Sequence, residues 1–179
     1  MPAPKTTSLA IVVLTATAAL AYSALAQLAF GGSKVKFPVN FEKGVIYTTV
    51  DRADNKQYRE LFASPEAVAA AKKGEALPAG TVLTLVQHKA KLDGQGNPEK
   101  DAGGRFIKGD LIGYAVMEKQ TGWGAEYPAE LRNGEWEYQS FTADRSVNDK
   151  ANLKACFECH KPLDARKDFV FSYDKLAGK

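Results

Sequence analysis

Cys156-Phe157-Glu158-Cys159-His160 is the stretch whose residue types and spacing carry recognisable chemistry. It reads C-x-x-C-H, the attachment sequence of a c-type haem. Two thiols three positions apart add across the vinyl groups on one edge of the porphyrin, and the histidine that follows is carried beneath the ring, where its imidazole binds iron. On this reading Cys156 and Cys159 become the thioethers of one haem c, and His160 the axial ligand. A C-x-x-C pair also serves as a dithiol redox centre, a local disulfide or half of a zinc site. The chain has two cysteines and two histidines, so no second cysteine pair completes a four-sulfur zinc site and His88 alone remains as a further nitrogen ligand. A thioredoxin-like dithiol lies near the start of a helix after an early strand, whereas this pair lies near the end of the sequence.

The motif needs a helix to carry it. Asn148 is placed to cap one running from Asp149 into the motif, and Pro162 closes it. Most of what precedes reads as strand. Residues 45–50 are β-branched and aromatic, 51–55 have turn chemistry, and 58–63 form a second extended run. Ser64-Pro65-Glu66 announces a short helix over 65–73, ended by Gly74. After a turn at 77–80, residues 81–88 alternate, with Leu83, Leu85, Gln87 and Lys89 on one side and Val82, Thr84, Val86 and His88 on the other. Residues 93–104 form a loop, 105–118 an extended run with Gly109 and Gly113 marking a bulge or close backbone approach. Asn133-Gly134 signals a hairpin leading into 135–141, and 168–173 form a last extended run. The expected fold class is α+β and predominantly β, an antiparallel sheet flanked by short helices, with a C-terminal helix carrying the haem motif.

Residues 1–26 carry Lys5, an apolar run over 9–21 and Ala24-Leu25-Ala26 ahead of Gln27, the layout of a secretory signal peptide. An export signal and a haem c motif predict one another, because that haem is attached outside the bacterial cytoplasm. The chain is therefore expected in the periplasm, with an uncleaved membrane anchor as the alternative. Cleavage leaves 153 residues with a net charge of +2, and nothing there recommends nucleic acid. Residues 27–36 read as a flexible lead-in and 37–179 as one domain.

The sequence resembles the cytochrome P-460 family, including its cytochrome c′-beta branch. The resemblance is carried by Tyr47-Thr48-Thr49-Val50-Asp51-Arg52-Ala53-Asp54-Asn55-Lys56-Gln57-Tyr58-Arg59, Leu77-Pro78-Ala79-Gly80-Thr81-Val82-Leu83, Gly109-Asp110-Leu111-Ile112-Gly113, and the C-x-x-C-H followed by Asp168-Phe169-Val170-Phe171. It implies an antiparallel sheet with flanking helices, usually a homodimer, and one haem whose iron is held by the proximal histidine alone. Some members oxidise hydroxylamine through a haem cross-linked to a lysine; others lack that link and bind nitric oxide or carbon monoxide. Arg59 matches the family's distal-pocket arginine, and ungapped placement from it puts Leu85 where the cross-linking lysine stands. Lys89, the nearest lysine on that side of the strand, is roughly 13 Å further along at about 3.3 Å per residue.

The resemblance and the departure at Leu85 together imply an uncross-linked haem with an apolar distal side. Arg59 is either a distal or propionate contact or an exposed strand charge. His88 and Met117 are the alternative sixth ligands, and alternation turns His88 away from Leu85. Asp149 lies where hydroxylamine-oxidising relatives carry a pocket acid, and also reads as a first-turn helix acid. Phe62, Phe106, Trp136, Tyr138 and Phe141 are candidates for the haem wall or for ordinary core. Two functions follow: a gas-binding or electron-transfer protein with an unidentified redox partner, or an enzyme acting on hydroxylamine or a related small nitrogen compound. Leucine at position 85 favours the first.

Overall fold

The computed structural model describes residues 33–163 and 165–179. The expected signal peptide, 1–26, and the start of the lead-in lie outside the described residues. Five strands form one antiparallel sheet in sequence order: β1 Val45–Arg52, β2 Gln57–Ala63, β3 Val82–Ala90, β4 Lys108–Lys119 and β5 Trp136–Thr142. Among the described residues three α-helices accompany it: α1 Pro65–Lys73, α2 Leu153–His160 and α3 Tyr173–Leu176. The architecture is the expected predominantly β α+β fold, and α2 carries C-x-x-C-H.

Local chemistry accounts for the best-read elements. The Ser64 hydroxyl accepts the Ala67 N–H at 3.3 Å, Pro65 opens α1, and Gly74 closes it at φ 75°, a conformation that glycine enters without a Cβ penalty. At Gly113 the constraint is close approach, since a Cβ there would lie 2.4 Å from the Phe141 carbonyl oxygen. The register slips beside it, between Gln87↔Gly113 and His88↔Leu111, leaving Ile112 as the extra residue of a bulge.

Directly opposed residues in an antiparallel sheet share a face. One face holds the rows Glu60, Val86, Tyr114, Phe141 and Phe62, Thr84, Val116, Gln139. Val35, Phe37 and Phe41 close over it, with aromatic rings meeting edge-on at centroid distances of 5.0–6.0 Å. The other face holds Arg59, Gln87, Gly113, Thr142, then Leu61, Leu85, Ala115, Ser140, then Leu83, Met117, Tyr138. Its middle row is only half-buried.

Four sequence expectations are corrected. Residues 168–173 are not extended, because Asp168 and Phe169 turn the chain in left-handed backbone and α3 follows. Asn133-Gly134 does not join two strands. The Trp136 N–H donates to the Asn133 carbonyl at 3.2 Å in a turn that enters β5, sixteen residues after β4 ends. The cap of the motif helix is Asn152, not Asn148, whose side chain instead accepts the Lys150 N–H. The fourth strand starts at Lys108 rather than 105. Within the expected lead-in, Val35 is buried and the Lys34 N–H donates to Glu137, so the packed body reaches back before Phe37.

Candidate haem site

The site is built from α2, the half-buried sheet face and the turn at 168–171. The Asn152 side chain accepts the Ala155 N–H at 3.4 Å and opens the helix. Cys156 and Cys159, three apart, therefore share one helical face, while Phe157 points into the core. Phe157 packs on Tyr127 and Tyr138 at 4.6 and 4.8 Å between ring centroids. Buried Asn133 ties this region together, donating through Nδ2 to both the Phe157 carbonyl and the Tyr138 hydroxyl at 3.0 Å.

His160 ends the helix half-buried, its ring 4.9 Å from Tyr138 and 5.0 Å from Phe171. Its Nδ1 lies 2.7 Å from the Phe169 carbonyl oxygen. A carbonyl only accepts, so Nδ1 carries the proton and donates, and Nε2 is left with the lone pair a metal needs. Burial holds the imidazole below its usual pKa, against the opposing pull of that carbonyl, which favours the neutral form that ligates. Burial likewise pushes the Cys156 thiol up, aided by Cys159. Both thiols are free, Cys156 half-buried and Cys159 exposed.

The other candidates separate by face. Leu85 and Arg59 lie on the same face as Tyr138. Arg59 is half-buried, and its Nε and Nη2 donate to the Gln57 side-chain oxygen at 2.9 and 2.7 Å. Burial and the neighbouring Arg52 lower its pKa. His88 lies on the opposite face, Nδ1 at 3.2 Å from the Gly109 carbonyl and Nε2 at 3.7 Å from Glu60. Met117 sits buried between Leu83 and Tyr138. Asp149 is exposed. Of the aromatic candidates, Trp136 and Tyr138 fall on the Leu85 face. Phe62 and Phe141 belong to the aromatic cluster on the other, and Phe106 is held beside Asp51 through its N–H. Lys89 is exposed.

Sequence reasoning missed Arg52, which shares the Leu85 face and whose Nε and Nη2 donate to the Asp54 carboxylate at 2.8 and 2.6 Å. It also missed Asn133 as a bracket, and Lys119. The signal for Arg52 was its two-residue spacing from Val50 in a strand; Lys119 had none.

A family model for cytochrome P460 matches residues 39–172. The chain belongs to the cytochrome P460 family. Comparison with curated proteins finds no match. As a cytochrome P460 family member it is a haem-binding cytochrome, with haem and its iron as the cofactor. The residues present fit that group. Two free thiols share one helix face, an imidazole keeps Nε2 for metal, and an apolar sheet face with Leu61, Leu85 and Ala115 stays half-uncovered.

Proposed function

We propose that this cytochrome is exported to the periplasm and carries one haem c, joined at Cys156 and Cys159, with His160 as the sole strong protein ligand of the iron. It binds neutral diatomic gases, nitric oxide and carbon monoxide, at the open iron position and passes single electrons to a redox partner. Assembly as a homodimer is part of the proposal, carried by the family resemblance. When bound, the group supplies an iron with a vacant coordination position and one-electron redox chemistry.

The observation that carries the reading is Leu85 at the centre of the half-buried face, flanked by Leu61 and Ala115. Hydrocarbon at this position tolerates a neutral ligand and offers no hydrogen bond to a developing anion. Oxidation of hydroxylamine needs a group that takes protons from the substrate, and the three rows of this face contain no carboxylate. Lys89, the nearest lysine along the strand, is exposed rather than set on the floor. Gln57 holds the Arg59 guanidinium at the rim, where a positive charge suits a propionate.

The test is to titrate the reduced protein with carbon monoxide and nitric oxide and to assay hydroxylamine oxidation with an artificial electron acceptor. Saturable gas binding with hydroxylamine turnover at background is the expected result. Rapid hydroxylamine turnover, or haem recovered on a peptide spanning 81–91, replaces this reading with the enzymatic one.

A further inference from the structure

The carbonyl that takes the His160 Nδ1 proton belongs to Phe169, and the backbone presenting it is unusual. Asp168 and Phe169 are consecutive non-glycine residues at φ 50° and 57°, a region that side chains other than glycine avoid. Such backbone persists where surrounding contacts over-determine it. Here the contacts converge on the Asp168 carboxylate. Its Oδ2 accepts the Leu77 backbone N–H at 2.9 Å, and Lys119 Nζ donates to both oxygens, at 3.1 and 2.9 Å. The pair is nearly closed to solvent, with side chains 12% and 8% exposed, and the ammonium lies 5.8 Å from the Trp136 ring centroid.

Each anchor is itself fixed. Lys119 is the last residue of β4, and its N–H and carbonyl bond to Thr81 and Gly80. The Phe169 ring lies against Gly134, where a Cβ would meet it at 3.4 Å. The turn that touches His160 is thus tied to the end of the sheet by an ion pair bridging 49 positions of sequence.

We propose that Lys119 and Asp168 are positioning residues for the iron ligand. The ion pair locks the 168–169 turn, the turn holds the Phe169 carbonyl on Nδ1, and that hydrogen bond fixes the ring and strengthens Nε2 as a donor. This rests on the reading of His160 as the axial ligand. A stronger donor favours ferric iron, so loosening the clamp weakens the iron–histidine bond and makes the haem easier to reduce.

The experiment compares the wild-type holoprotein with Asp168→Asn and with Lys119→Met/Asp168→Asn, by resonance Raman of the ferrous form and by potentiometry. The double variant removes both charges together, so it stays folded if Asp168→Asn alone strands a buried ammonium. Expected are a lower iron–histidine stretching frequency and a rise in potential corresponding to roughly a tenfold change in the ferrous-to-ferric ratio, about 59 mV for one electron. Lys167→Ala, which removes the exposed ion pair with Asp174 in the same segment, leaves both readouts in place. An iron–histidine band present in the wild type and unmoved in the double variant overturns the proposal and leaves the pair a stability clamp. A wild-type spectrum with no such band removes the five-coordinate His160 reading on which this proposal rests, and the proposal with it.

Discussion

The two faces of this sheet are cut from the same five strands, yet one carries an aromatic cluster across its middle and the other carries none. On the Val86 face, Val35, Phe37 and Phe41 pack over Phe62, Tyr114, Val116 and Phe141 as one aromatic-rich cluster, with an open cavity beside Phe37, Phe41, Phe62 and Thr84. On the Leu85 face, one residue along each strand, Leu61, Leu85 and Ala115 are half-buried among the described residues, while α2 packs at the Tyr138 end through Phe157 and His160. The Val86 face spends its aromatic residues on its own core, and the middle of the Leu85 face has none. The Leu85 face is where we propose that the haem lies.

The difference can be broken most severely from the aromatic side. Phe141→Ala removes a buried ring from the aromatic cluster and is expected to cost about 3–5 kcal/mol in urea unfolding. Gly113→Ala comes next. Its methyl is driven onto the Phe141 carbonyl where β4 and β5 pair, costing about 1–3 kcal/mol in the same assay. Leu85→Ala sharpens the contrast, because a half-buried residue returns about 1 kcal/mol or less, while gas affinity of the reduced protein changes with the altered floor. Smallest of all is His88→Ala, which leaves the oxidised and reduced absorption spectra unchanged, as its ring faces Glu60 and Gly109 on the Val86 side.

Much of this was legible because its causes are local. Alternation along β3 set Leu85 and His88 on opposite faces, and Ser64, Pro65 and Gly74 bounded α1 through the capping bonds they make. The motif helix was legible in place but not in register, because two asparagines four apart both offer caps. Asn152 bonds the Ala155 N–H, whereas the Asn148 backbone N–H is taken by the Ser140 carbonyl. Residues 168–173 read as extended because Phe169, Val170 and Phe171 favour strands. The turn they form is imposed by Lys119 and Leu77, partners that no local pattern names. Asn133-Gly134 carried the dipeptide of a hairpin, but burial gave its amide to Phe157 and Tyr138 instead. The C-x-x-C-H spacing was plain in the sequence; the Lys119–Asp168 ion pair was visible only once the chain was folded.

The central claim, a haem with an open iron position over the Leu85 face, is tested most directly by the optical spectrum of the reduced holoprotein before and after carbon monoxide. The account predicts a five-coordinate, high-spin ferrous spectrum that carbon monoxide converts to a six-coordinate one, with the haem retained on the polypeptide through acid extraction. A six-coordinate, low-spin ferrous spectrum that Met117→Ala converts to high-spin would contradict it and leave a simple electron carrier in its place.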